Sequence, residues 1–284
     1  MNTRRALFAA LILLTTILAC AVPGLPAASQ PAPTADTRLE IMVAETVSAA
    51  LEQTQQAVPT PTIAPASTSS PRPTITPSPT PDADDSGSAL NKQDDGSVHF
   101  TDTKAGYEVT VSTGWLPVRI NSQEYLEAWL LPELTNPSMQ RSLSSIENLN
   151  PDEIRLFILD TQEGHAEIDF VTNISIYWDQ KNETSLENDE DLKAQAEALL
   201  GALAGLEVTL TEISTTANGV PIGVITSKTP ITTLDGVSVE MFQKQVFIDI
   251  NVGTLIVTLT TTEELRQTVL PQFDAMIETI KIEE

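Results

Sequence analysis

The sequence predicts an α+β fold for residues 97–284, an antiparallel β-sheet flanked by helices in an α/β/α sandwich. Three observations carry this. Four runs rich in β-branched residues, 206–215, 220–228, 237–249 and 254–261, follow one another through Asn218-Gly219, Asp235-Gly236 and Asn251-Val252-Gly253. Asn-Gly and Asp-Gly between such runs are the strongest short signals for a hairpin. Apolar stripes at helical spacing stand on both sides of this meander: Leu192, Ala196, Leu199 and Leu203 before it, and Leu265, Val269, Phe273, Met276, Ile277 and Ile280 after it. Finally, Tyr107, Val109 and Val111 alternate with Glu108 and Thr110, the period-two pattern of a half-buried strand.

The remaining elements follow in order. Gly114-Trp115 is a turn into Val118-Arg119-Ile120. Residues 122–131 and 138–149 read as two short helices separated by Asn136-Pro137. Residues 154–160 and 168–178 read as strands. Asn188 is expected to cap the helix that follows. Asp189, Glu190 and Asp191 lie in its first turn, where acids meet the positive end of the helix dipole, and Gly205 ends it. Thr261-Thr262-Glu263-Glu264 is expected to open the last helix, with Pro271 kinking or restarting it.

The first 96 residues have a different character. Arg4 and Arg5 precede an apolar run over 6–19, which ends in Ile17-Leu18-Ala19-Cys20. A basic start followed by an apolar run too short to span as a mature helix is a signal peptide, here residues 1–19. Its last four residues resemble a bacterial lipobox, in which the cysteine takes a diacylglycerol and the chain is cut just before it. Cys20 is the one cysteine in the 284 residues, which fits such a role and excludes any disulfide within the chain. One acyl chain holds a protein on a bilayer only marginally, at about 0.8 kcal/mol per buried CH₂; two chains hold it stably. An ordinary secretory signal cut later, after Ala27-Ala28, is the alternative. Arg4-Arg5 also resembles a twin-arginine signal, but the very short basic region favours the general secretory route.

Residues 20–96 read as a tether. Leu39, Val43, Val47, Ala50, Leu51 and Ala57 form a narrow helical stripe that Val58-Pro59 stops. It reads either as a marginal helix inside the linker or as a self-association helix. Residues 59–81 then hold eight prolines interleaved with Thr and Ser. Such a segment forms an extended spacer that reaches roughly 70 Å at about 3.1 Å per residue. Residues 82–96 read as polar, acidic and disordered.

Charge narrows the choice of partner. The chain has 39 acidic against 15 basic residues, a net charge of −24. A surface of that sign repels nucleic acid and anionic lipid. Nucleophile elbows, phosphate-binding glycine loops and His-Glu-x-x-His are absent from the sequence, so no catalytic, cofactor or metal residue is assigned. One cluster stands out: Asp160, Glu163, His165, Glu167 and Asp169. On an extended chain His165, Glu167 and Asp169 would share one face and could hold a divalent metal; the bland reading is a polar hairpin tip on an acidic edge. The run 187–191 could be a Ca²⁺ loop but reads better as a helix N-terminus. Trp115, Trp129, Trp178, Tyr107, Tyr125 and Tyr177 could line a ligand groove, though core packing is the more ordinary role of so few aromatics.

Gly106-Tyr107-Glu108-Val109-Thr110-Val111, followed by Gly114-Trp115, the long meander and the closing Phe273-Asp274-Ala275-Met276-Ile277, resembles the PsbP-like fold. That fold belongs to the extrinsic oxygen-evolving subunit of photosystem II and is shared with a nuclear-import factor that binds Ran. Relatives often read Pro-x-x-Trp where this chain has Ser112. The resemblance implies a binding or assembly module and carries over no functional residue. The expectation is a lipoprotein anchored through Cys20 on the extracytoplasmic face of the cell membrane, non-enzymatic, with an unidentified protein partner and no nucleic acid. The alternative is a lipoprotein that binds a small ligand or divalent cation and serves a transporter; a hydrolase using His165 is the weakest reading.

Overall fold

The computed structural model describes residues 87–166, 170–233 and 236–283. Cys20, the helical stripe over 39–57 and the proline-rich spacer lie outside the described residues, as do Glu167, Asp169 and Asp235. No helix among the described residues is long and apolar enough to cross a membrane.

The fold is α+β and its sheets are antiparallel. The larger sheet has seven strands: β4 (Trp115–Val118), β5 (Ile154–Asp160), β6 (Asn173–Asp179), β7 (Glu207–Thr215), β8 (Pro221–Thr232), β9 (Ser238–Ile250) and β10 (Gly253–Thr262). Their order across the sheet is β4-β5-β6-β10-β9-β8-β7. Strands β7 to β10 are the expected meander. Gly219 and Gly236 turn with φ of +84° and +83°, a region that suits glycine because it lacks a Cβ. β5, β6 and β10 are buried along their whole length because both faces of the sheet are covered. Their side chains therefore sort by parity into two cores. Leu156 and Ile158 enter one, and Phe157 and Leu159 the other.

On the first face, a helix (α4, Arg266–Ile277) and a second sheet pack against the large one. That second sheet joins β1 (Ser88–Lys92), β2 (Val98–Asp102), β3 (Tyr107–Val111) and β11 (Lys281–Ile282) in the order β1-β2-β3-β11. On the opposite face lie α1 (Gln123–Ala128), a 3-10 turn at Pro132–Thr135, α2 (Pro137–Ser145) and α3 (Glu190–Ala202).

Several boundaries differ from expectation. Residues 88–92, read as disordered acidic linker, form β1. They gain their backbone partners from β2, a pairing that local composition does not reveal. β6 begins at Asn173 rather than 168. Thr261 and Thr262 complete β10 instead of opening a helix. The ladder extends as far as Glu263, whose N–H donates to the Glu240 carbonyl at 2.8 Å. α4 starts at Arg266 and runs on through Pro271 as one helix, without the bond Pro271 cannot donate to the Gln267 carbonyl. α1 stops at Ala128, short of the expected Leu131. Leu131 precedes Pro132, and steric clash with the proline ring holds it extended at ψ 140°.

Candidate functional site

The break at Leu131 builds the most distinctive surface of the molecule. α1 buries Tyr125 and Ala128 against Leu134, Met139 and Leu143. The chain then tightens: Leu130 N–H donates to the Glu127 carbonyl, Leu131 N–H to Ala128, and Leu134 N–H to Leu131, each at 3.0 Å. Three consecutive apolar residues cannot all face inward through such turns. Leu130 is 84% exposed, Leu126 60%, Trp129 38% and Leu131 36%. They form an apolar ridge at one corner. Trp129 is not loose on it, since its ring meets Tyr125 edge-on, with centroids 6.3 Å apart at 83°.

The base of the ridge is fixed by charge. Arg119 holds both carboxylate oxygens of Glu124, at 2.7 and 2.9 Å, and its Nη1 donates to the Ser88 carbonyl at 2.6 Å. Asn121 turns the chain between them with φ 58°, the left-handed region that Asn tolerates better than most residues. Burial raises the Glu124 pKa, but hydrogen bonds from Ser122 and Arg119 outweigh it and hold the carboxyl below its ordinary value. Burial also raises the Tyr125 phenol; Trp129 opposes this and Glu147 adds to it.

The cluster around His165 is arranged differently from the extended face considered above. Residues 163–166 form a turn, with Gly164 at φ +83°, so His165 does not continue a strand toward 167 and 169. His165 Nδ1 instead meets Asp160 Oδ2 at 2.6 Å, with the carboxylate fully buried. Asp160 Oδ1 accepts from the Gln162 N–H and from Gln162 Nε2. Gln162 Nε2 and Trp115 Nε1 both donate to Gln272 Oε1, at 3.1 and 2.7 Å. A histidine oriented by a buried carboxylate is half of a general-base unit. Here the histidine braces Asp160, while Gln162 of the same loop ties that loop to Gln272 on α4, which also accepts from Trp115 of β4. Glu163 is exposed on the turn.

Other expected positions resolve simply. The run 187–191 is a helix N-terminus, but its N-cap is Asp189 rather than Asn188, whose Oδ1 accepts from the Glu190 N–H at 2.9 Å one residue earlier. The helix ends at Ala202, before Gly205. Trp115, Trp178, Tyr107, Tyr125 and Tyr177 are buried. Trp129 alone of the six aromatics is not. A cleft of about 270 Å³ lies between the two sheets, lined by Lys104, Arg119, Asn121, Asp152 and Arg155 among others. Sequence reading placed Leu126, Leu130 and Leu131 inside a helix and missed the ridge. The available signal was Trp129-Leu130-Leu131-Pro132, an unbroken apolar run ahead of a helix breaker.

No family model and no curated protein matches this chain. Among solved structures, it is similar to the cyanobacterial PsbP, CyanoP, of Synechocystis. The identity is 19% over 65% of this chain and 91% of that one, with a TM-score of 0.38. It is also similar to LpqN of Mycobacterium tuberculosis, involved in cell envelope biogenesis, at 12% identity over 69% and 91%, with a TM-score of 0.38. The Ran-binding protein Mog1p of Saccharomyces cerevisiae is similar at 10% identity over 68% and 96%, also with a TM-score of 0.38. These likenesses concern the arrangement of elements, and no residue role follows from them.

Proposed function

We propose that the chain is a lipoprotein held through Cys20 on the extracytoplasmic face of the cell membrane, and that its acidic α+β region is a non-enzymatic binding or assembly module for a protein partner. One observation carries the binding role: Leu126, Trp129, Leu130 and Leu131 are exposed within six consecutive residues, whereas the other exposed large apolar side chains among the described residues, Leu200, Leu210, Ile213, Val237 and Val252, are spread over α3, β7 and two turns. Single exposed leucines need no explanation, whereas a contiguous apolar patch marks an interaction site. The anchor rests on the signal peptide and its terminal cysteine. The proline-rich segment would then hold the module away from the bilayer.

The small-ligand alternative rests on the cleft between the sheets. At about 270 Å³ it falls just below the roughly 300–1,000 Å³ of ordinary ligand pockets.

Chemical crosslinking of intact membranes tests the proposal. A stable hetero-adduct that disappears in Leu130→Asp is expected. Repeated recovery of the chain alone would contradict it.

A further inference from the structure

The ridge also carries information about what covers it. Its backbone is fixed by three successive turn bonds, and its inner side by Tyr125, Ala128 and Leu134. It therefore presents a tryptophan ringed by leucines with little conformational freedom left to lose on binding. A rigid aromatic anchor with apolar neighbours is the composition of an interface hot spot.

Charge selects among the possible occupants. Residues 119–141 hold three acids, Glu124, Glu127 and Glu133, and two bases at the ends of the stretch, Arg119 and Arg141, the latter donating to Ser138 Oγ on its own helix. Arg119 compensates Glu124. Glu127 accepts from Gln123, a neutral amide that brings no counter-charge. An anionic bilayer would meet Glu127 and Glu133 as like charges, on top of the negative field of the whole chain. A second copy packed across a two-fold axis would set this patch against itself, with the same repulsion doubled. An apolar groove with cationic edges satisfies both the leucines and the glutamates, and opposite potentials also speed encounter.

Resting on the binding-module reading above, we infer that the ridge docks into a protein partner that offers an apolar groove rimmed by Lys or Arg side chains. The ridge supplies the affinity and the flanking acids choose the partner.

Two synthetic amphipathic peptides with identical leucine faces, one flanked by Lys and the other by Glu, test this against the full chain carrying Cys20→Ser. Binding is read by fluorescence anisotropy at one fixed low salt concentration. The Lys-flanked peptide is expected to bind and the Glu-flanked peptide not to. Leu130→Asp is expected to weaken binding about tenfold or more with an unchanged thermal melt. That variant makes the protein more acidic, so a diffuse attraction to lysine would strengthen, and weakening isolates the ridge. Glu127→Lys with Glu133→Lys is expected to weaken the Lys-flanked peptide and admit the Glu-flanked one. Phosphatidylglycerol vesicles are expected to leave the emission of Trp129 unchanged, judged against Trp129→Phe, and sedimentation to show a monomer.

Binding that Leu130→Asp leaves unchanged or strengthens would overturn the inference. So would vesicle insertion, or a dimer, that Leu130→Asp abolishes. These last two results would keep the ridge as an interaction surface and discard only the basic-rimmed partner. Failure of the peptides together with no hetero-adduct in membranes would remove the module reading as well.

Discussion

Asp102 and Arg155 meet 2.6 Å apart, carboxylate to guanidinium Nε, with side chains 0% and 2% exposed. They stand 53 residues apart in sequence and join the end of β2 in the small sheet to β5 in the large one. Asp102 Oδ1 also accepts from the N–H groups of Lys104 and Ala105. Arg155 donates to the Pro151 carbonyl and lies 5.7 Å from the centroid of Trp178. Tyr107, beside the pair, has its phenol pushed well up, first by burial and then by Asp102, with Arg155 acting against this. These additional hydrogen bonds are what make a buried ion pair tolerable, although the Tyr107 hydroxyl beside it is buried without a hydrogen-bond partner among the described residues.

Asp102→Ala would therefore take the buried counter-charge from the Arg155 guanidinium, which then faces the more distant, exposed Asp152 at 3.8 Å, and would leave two backbone N–H groups without their acceptor. The expected loss is about 3–5 kcal/mol, read from the midpoint of urea unfolding at constant slope. A loss below about 1 kcal/mol, typical of a surface pair, would contradict the buried arrangement.

Gly253 offers a second test of the packing. It opens β10 with φ +118°, and a Cβ there would collide with the carbonyl oxygen of Asp179 on β6. Gly219, with φ +84°, has nothing within 4 Å of such a Cβ. Gly219→Ala is expected to cost only the left-handed strain of about 1–2 kcal/mol. Gly253→Ala adds a backbone clash and is expected to cost clearly more, with the two compared by thermal unfolding. Equal losses would mean that β6 does not press on the Gly253 turn.

Glu124 gives the region of the ridge a dependence on pH. Its folded-state pKa lies below the ordinary 4.5. A depressed carboxylate contributes stability above its unfolded pKa and loses that contribution as pH falls through the folded value. Thermal unfolding from pH 7 downward is thus expected to show a loss beginning below about 4.5. Glu124→Gln should be less stable at pH 7 and should flatten that acid limb. A variant with the same acid slope as the parent would remove Glu124 from the account.

Cys20→Ser is expected to move the protein from the detergent phase to the aqueous phase and to abolish the diacylglycerol mass on the mature N-terminus. Retention in the detergent phase would point to an anchor other than that thiol.

The meander was legible in the sequence because its signals are local. Asn218-Gly219 and the Gly253 turn dictate reversals from their own backbone conformations, and β5 matches its expected 154–160 span residue for residue. What was hidden depends on distant partners. Ser88–Lys92 looks like linker until β2 lies beside it, and Asp102 and Arg155 look like ordinary surface charges until the two sheets bring them together. The ridge falls between these cases. Leu131-Pro132 told where α1 must stop, but not that Leu126 and Leu130 would be left without cover, since apolar spacing alone assigns a leucine to a core. The turn that carries His165 was legible as a polar hairpin tip, but its contact with Asp160 was not, because Gly164 carries no hydrophobic pattern to read.

The most direct measurement is site-specific photocrosslinking in intact membranes, with a photoreactive side chain at position 130 and, as control, at exposed Glu212 on β7. The account predicts one reproducible hetero-adduct from position 130, absent from position 212 and weakened by Glu127→Lys with Glu133→Lys. Identical adducts from both positions, or adducts only between copies of this chain, would contradict it.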